Sequence, residues 1–125
     1  EKMQVVRIAD FIAHSLRAAS AAGIRRIIIG CMPGKLLKYA CGDENTHAHK
    51  TKLRPALIRS LGIPLRDDLP LEEYDTMGEL ASYLTAAEYT ELLNALKIRA
   101  LENLQKWAGK ASAELALYSD RGERI

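Results

Sequence analysis

The stretch IRRIIIGCMPGK at residues 24–35 decides the fold class of this chain. Its centre, residues 27–29, is a run of three β-branched isoleucines, which favours a strand that other elements cover on both faces. Apolar residues recur at helical spacing over residues 5–19, and Gly23 can end that helix in a left-handed conformation. A helix, a short loop and a buried strand in this order indicate an α/β domain.

Helical patterns dominate the chain after this strand. Pro33 can begin a helix because its missing N–H is not needed in a first turn, and Gly42 can end that helix. Another short helix is predicted over residues 53–61, with its apolar positions, taken to face the core, at Leu53, Ala56, Leu57 and Leu61. Residues 64–70 contain two prolines and are expected to form an irregular, acidic connector.

Two capping boxes, Thr76 with Glu79 and Thr85 with Glu88, predict the starts of a short and a long helix. The long helix carries one apolar stripe, which we assign to the core rather than to a cofactor: Tyr89, Leu92, Leu93, Leu96, Ala100, Leu101, Leu104 and Trp107. Gly109 can end this helix.

A second strand is predicted over residues 113–118, followed by a turn at residues 119–122. The elements together predict an α/β fold that is rich in helix, with a small, mostly parallel sheet flanked by helices. No internal repeat or linker divides the sequence, so residues 1–125 are expected to form one domain.

Composition excludes several classes of protein. The chain has 125 residues, is 48% hydrophobic and contains only 8 Gly and 4 Pro, which excludes a disordered or low-complexity protein. No apolar run reaches the roughly 18 residues that a membrane span needs. The two cysteines, Cys31 and Cys41, are too few for a disulfide scaffold, and we therefore expect a reducing, cytoplasmic location.

Charge is divided unevenly along the chain. Residues 1–66 carry twelve Lys and Arg against four Asp and Glu, a balance of +8, whereas residues 67–125 carry six against twelve, a balance of −6. The basic part is therefore expected to face an anionic ligand or the acidic part. Nucleic acid is a poor candidate, because the two aromatics of the basic part, Phe11 and Tyr39, are too few for a base-stacking platform.

The first candidate site is the junction between the isoleucine strand and the next helix. Ligands of open α/β sheets bind at the carboxyl ends of strands, where a helix N-terminus offers N–H groups. Gly30 and Gly34 allow a tight turn there, and Lys35 adds a positive charge, so the junction can hold a carboxylate or a phosphate. A nucleoside triphosphate loop is excluded because Leu36 replaces the required Ser or Thr. A turn that simply needs glycine is the alternative.

A second candidate site follows at Asn45, Thr46 and His47, whose side chains donate, accept and titrate near neutral pH. They can line a ligand site, or they can bond to their own backbone in a turn. Metal binding by Cys41, His47 and His49 is a third interpretation, but this spacing lacks the paired ligands of a structural zinc site, and we predict no metal.

Positive charge is concentrated around both candidates. Residues 35–54 carry five Lys and Arg, Lys38 among them, against two acidic residues, a local balance of +3. Such a region can bind a ligand that bears several carboxylates. No hydrolase, kinase or metalloprotease motif is present in the sequence, so the pattern assigns no catalytic residue.

Several segments are distinctive in combination: DFI at 10–12, Gly23, III at 27–29, GKLLK at 34–38, Gly42, NTH at 45–47 and LALYSDRG at 115–122. In this order they resemble the carboxy-terminal part of the CbiD family, the cobalt-precorrin-5B C1-methyltransferases of anaerobic cobalamin (vitamin B12) biosynthesis. The resemblance spans nearly the whole chain. It implies that the chain is the carboxy-terminal fragment of a longer protein, whose missing amino-terminal segment is a partner.

The resemblance also implies a reaction. A methyl group would pass from S-adenosyl-L-methionine to C-1 of a cobalt-containing tetrapyrrole, a corrinoid that bears many acetate and propionate groups. Lys35 and Lys38, with Gly30 and Gly34, would bind an anionic group of the methyl donor or of the corrinoid. The segment at residues 45–47 would line the same pocket, and no general base is assigned.

Three positions differ from the family pattern. Met32 stands where the family has histidine, Ala48 where it has serine and Lys52 where it has aspartate. These differences remove a titratable group, a hydroxyl and a carboxylate from the expected site. They favour, as the alternative function, a diverged and non-catalytic module that binds a tetrapyrrole or another anion.

Overall fold

Glycine and proline residues separate the helices and strands of the fold, in the order that the sequence predicts. The structure, a computed structural model, describes residues 11–43 and 53–125. In chain order the elements are α1 (Ile12–Ala21), β1 (Arg26–Cys31), α2 (Pro33–Ala40), α3 (Pro55–Ser60), a 3-10 turn (Leu71–Glu73), α4 (Met77–Ala81), α5 (Ala86–Ala108) and β2 (Ser112–Leu117). The predicted helix-rich α/β fold with a small parallel sheet is confirmed.

Glycines end the first two helices, as predicted. Gly23 has φ +87°, and the N–H of Ile24 donates to the carbonyl of Ala19 at 3.2 Å. Gly42 has φ +82° and repeats this arrangement after α2. Both are Schellman motifs, in which a left-handed residue lets the chain turn back and satisfy the last carbonyls of the helix. β1 begins three residues after Gly23, so this short turn connects α1 to β1.

The capping box of α5 is complete. The backbone N–H of Glu88 donates to the hydroxyl of Thr85 at 3.1 Å, and the Glu88 carboxylate accepts from the N–H of Thr85 at 2.9 Å. At α4 only half of the predicted box forms. The hydroxyl of Thr76 accepts from the N–H of Glu79, but the Glu79 carboxylate accepts from the N–H of Asp75.

The two strands pair in parallel, with Arg26 opposite Ser112 and Cys31 opposite Leu117. Ile29 faces the helices and is 4% exposed, whereas Ile28 points to the other side and is 42% exposed. The prediction of a strand covered on both faces is therefore confirmed for the inner face, and for the outer face it stays untested by the described residues. Side chains alternate along a strand, and the helices of the described part cover one face of the sheet.

The core is built around α5, which contacts α1, α2 and β2. Its predicted apolar stripe is confirmed: Leu92, Leu93, Leu96, Ala100, Leu104 and Trp107 are buried, and Tyr89 and Leu101 are partly buried. None of the helices in the described ranges is long and apolar enough to cross a bilayer.

The α3 helix departs from its prediction. It begins at Pro55, so Leu53 lies before the helix and is buried there. Ile58, three residues after the proline, is the buried position of the helix, and Ala56 is exposed. The expectation that Ala56 faces the core was wrong because the starting residue sets which side of so short a helix is buried.

Two amide side chains of α5 join it to other elements. Nδ2 of Asn103 donates to the carbonyl of Tyr39 at 2.8 Å, near the end of α2. Gln105 donates to the carbonyl of Ala111 at 2.8 Å and accepts from the N–H of Ala113 at 2.9 Å. These bonds hold α2 and the start of β2 against the same helix.

Candidate functional site

The predicted junction lies at the carboxyl edge of the sheet. Because the strands are parallel, β1 and β2 end at the same edge, where the N–H of Tyr118 donates to the carbonyl of Cys31 at 2.9 Å. The chain continues from Cys31 through Met32 directly into α2. This is the edge at which open α/β sheets bind ligands.

The first turn of α2 has no side-chain cap within the described ranges. Its N-cap residue, Met32, has no hydrogen-bonding side chain, and Pro33 occupies the first helical position. Gly34 follows in the same turn, and no heavy atom lies within 4 Å of the place that a Cβ would take there. An uncapped first turn beside open space leaves the positive end of the helix dipole accessible to an anion.

The two predicted lysines belong to this helix but differ in exposure. Lys35 lies in the first turn and is partly buried, whereas Lys38 lies almost one turn later and is only 7% exposed. Residues three apart occupy the same side of a helix. Lys35 is therefore the better placed of the two to reach a ligand at the end of α2.

Gly30 accommodates an aromatic ring. A Cβ at Gly30 would lie 3.3 Å from Cε2 of Tyr118, so a larger residue would have to displace the ring. Tyr118 was not among the residues predicted for the site. The parallel pairing of β1 with β2 could have revealed it, because this pairing places Tyr118, the residue after Leu117, at the carboxyl edge of the sheet.

Asn45, Thr46 and His47 lie outside the described residues, so their assignment to the site stays a prediction. The residues that flank this part of the chain are joined by an ion pair that the sequence did not reveal. Nη1 and Nη2 of Arg54 donate to Oδ1 and Oδ2 of Asp43 at 2.9 and 2.6 Å. This two-pronged pair ties the end of α2 to the start of α3.

The cysteines are poorly suited to act as thiolates. Burial raises the pKa of Cys31 to about 12, and burial also raises the pKa of Cys41, against the opposing effect of Arg54. Within residues 11–43 and 53–125, no group of three His, Cys, Asp or Glu side chains is placed to hold a metal ion. The metal interpretation through Cys41 and two histidines stays untested, because both histidines lie outside those ranges.

Charges of the basic and acidic parts of the chain meet in the fold. Among the residues that the structure describes, ion pairs join the basic part to the acidic part at three places: Arg26 with Glu114, Arg59 with Glu72 and Arg66 with Glu88. The expectation that the basic part packs against the acidic part is thus confirmed for these three arginines.

The chain is similar in sequence to proteins that share one name. Proteins named cobalt-precorrin-5B C(1)-methyltransferase are 32% identical in Pelobacter propionicus, 30% in Sulfolobus acidocaldarius and 31% in Polaromonas naphthalenivorans. Each match covers 96% of this chain but only 31%, 35% and 34% of those proteins, so the chain spans about a third of their length. No family model matches the chain, and no solved structure is significantly similar.

Proposed function

Since this chain belongs to the family of the cobalt-precorrin-5B C(1)-methyltransferases, we propose that it is part of an enzyme of cobalamin biosynthesis that methylates C-1 of cobalt-precorrin-5B. S-adenosyl-L-methionine is the methyl donor. The chain forms the carboxy-terminal domain of a longer cytoplasmic protein. Similarity over 96% of the chain, and over a third of its relatives, supports this assignment.

The first turn of α2 binds an anionic group of the donor or of the corrinoid. Gly34 and Lys35 make this contact, Gly30 and Lys38 support the turn, and the segment at residues 45–47 lines the same pocket. One observation carries this proposal: an uncapped helix start with a lysine in its first turn, at the carboxyl edge of a parallel sheet.

The chemistry requires little proton transfer from the protein at the donor. Methyl transfer breaks the S–CH3 bond of a sulfonium and forms a C–CH3 bond, so the leaving thioether departs neutral and takes no proton. The positive charge passes to the tetrapyrrole, which becomes neutral again by losing a proton, and no residue is assigned as the base that accepts it. The protein contributes by holding the methyl group in line with the ring carbon and by excluding water. His47 is accordingly assigned to the pocket wall and not to acid–base catalysis.

Replacement of Lys35 tests the site. In the full-length protein, Lys35→Ala should weaken binding of the donor or the corrinoid about tenfold, or ~1.4 kcal/mol, because one charge-assisted contact is lost. Isothermal titration calorimetry with each ligand measures this change. The control is Lys110→Ala, an exposed lysine that precedes β2 at the opposite, amino edge of the sheet. An unchanged Kd with a clearly lower melting temperature for Lys35→Ala would make Lys35 a structural residue.

The alternative is a non-catalytic module that binds a tetrapyrrole or another anion. Its specific support is Met32, a 53% exposed thioether at the N-cap of α2 where the family resemblance predicts histidine. A thioether cannot carry a proton at this position. A full-length protein that binds a corrinoid, but neither binds S-adenosyl-L-methionine nor transfers a methyl group, would establish this alternative.

A further inference from the structure

Large apolar side chains are exposed on the outward face of β1 and just beyond its two ends. Ile28 is 42% exposed, and Ile24 and Met32, four residues before and after it, are 49% and 53% exposed. Every second side chain of an extended segment points to the same side. We call these three residues, Ile24, Ile28 and Met32, the outward apolar row.

An uncovered apolar row is unusual on a parallel sheet. Parallel strands in α/β proteins are nearly always covered on both faces, and two strands alone do not make a stable sheet. The inner face meets this rule through Ile29, which is 4% exposed, whereas the outer face does not. Arg26 and Gly30 alternate with these residues on the same side of the chain: the Arg26 guanidinium pairs with the Glu114 carboxylate of β2, and the Tyr118 ring lies over Gly30. An ion pair and an aromatic ring thus alternate with exposed apolar side chains, a mixture that is common at protein interfaces.

We propose that the outward apolar row packs against the amino-terminal part of the same polypeptide, which lies outside this chain. This proposal rests on the proposed function, which makes the chain the carboxy-terminal domain. The relatives supply the occupant, because this chain spans only 31% to 35% of their length and about two thirds of a family polypeptide remains to provide the cover.

The interface continues into the candidate site. Met32 is both the last member of the outward apolar row and the N-cap residue of α2. A segment seated on the row therefore borders the first turn of α2, where Gly34 leaves open space. The amino-terminal part then supplies a second wall for the ligand that Lys35 binds.

Site-specific crosslinking in the full-length polypeptide tests the interface. A photoreactive benzoylphenylalanine replaces Ile28 and, as the matched control, Ile98, which is 66% exposed on α5. Crosslinked peptides are identified by mass spectrometry, with a mixture of isotopically light and heavy protein to separate links within one molecule from links between two. We expect the probe at residue 28, and not the one at residue 98, to link to the amino-terminal part within one molecule.

Other results overturn the proposal. These are links from residue 28 only to residues 1–10, links only between two copies, no link at all, or a natural polypeptide that does not extend beyond this chain. The readout needs neither donor nor corrinoid, so it is independent of methyl transfer. A protein that forms the link but transfers no methyl group refutes the proposed function alone.

A charge in the row provides a second measurement. Ile28→Glu should lower the melting temperature of the full-length protein by roughly 5 °C or more, because the carboxylate would be buried at the interface, whereas Ile98→Glu should leave it nearly unchanged. Equal melting temperatures for the two variants would contradict the interface.

Discussion

At the scale of single residues, Cys31 illustrates how position determines chemistry. It ends β1, pairs with Leu117 across the sheet and is buried on the inner face. Burial raises its pKa to about 12, so the side chain stays a protonated thiol and acts as a small apolar core residue. It contributes to the platform of the site and not to its reactivity.

The pKa of Cys31 predicts a dependence of stability on pH. Between pH 9, where the unfolded thiol loses its proton, and pH 12, where the folded one does, the unfolded chain binds fewer protons, so the free energy of unfolding falls as pH rises. We expect the urea midpoint to fall less steeply over this window in Cys31→Ala than in the wild-type protein. Below pH 8 the urea midpoints of the two proteins should change with pH in parallel. A parallel change over the whole pH range would refute the raised pKa of Cys31.

Residues with local roles could be predicted, and residues with distant partners could not. Gly23, Gly42 and Gly109 end their helices with positive φ as expected, because this requirement lies in the immediate backbone. Asn103 bonds to a carbonyl 64 positions away in the chain, and no spacing rule reveals such a partner. The same reasoning applies to Tyr118, which only the strand pairing brings beside Gly30.

At the scale of elements, the strength of the local signal decided how well each helix could be predicted. α5 has both a capping box and a long apolar stripe, and both are confirmed. α3 has six residues and neither signal: Leu57 and Leu61 do pack against the core, but Ala56 was assigned to the buried side wrongly and Ile58 was missed. Residues 64–70 are irregular, as their prolines predicted.

The capping box of α5 predicts a measurable loss. Thr85→Ala removes the acceptor of the Glu88 N–H and should lower the free energy of unfolding by about 1 kcal/mol. Chemical denaturation measures the difference. Thr90→Ala, at an exposed position inside the same helix, is the control and should be neutral or slightly stabilising, because alanine has the higher helix propensity. Equal losses for both variants would mean that the cap contributes nothing specific.

At the scale of the whole molecule, fold class was predictable and the environment of the sheet was not. The isoleucine run in residues 27–29 indicates a strand, but it does not specify what covers each side, and Ile28 is exposed. For the site, Gly34 and Lys35 could be placed at the carboxyl edge because a strand followed by a helix is a local feature. The ion pair of Asp43 with Arg54 could not be predicted, because the two residues are 11 positions apart in the chain and only the fold brings them together.

The central position of α5 predicts the cost of a cavity. Leu96 is fully buried between elements that α5 holds together, and Leu96→Ala should lower the free energy of unfolding by about 2–5 kcal/mol. Ile98→Ala removes a side chain of similar size from the exposed side of the same helix and should cost far less. Urea denaturation of both variants makes the comparison, and similar midpoints would contradict the assignment of α5 as the centre of the core.

The pairing of β1 with β2 has a consequence for the order of events during synthesis. Arg26 and Glu114, which form an ion pair across the sheet, are 88 positions apart in the chain. As the polypeptide leaves the ribosome, α1, β1 and α2 emerge long before β2 exists, and contacts this distant form late and slowly. The hydrogen-bonding edge of β1 therefore stays without its partner strand until residues 112–117 have been translated, and a nascent chain stalled before Ser112 should recruit chaperones that a released chain does not.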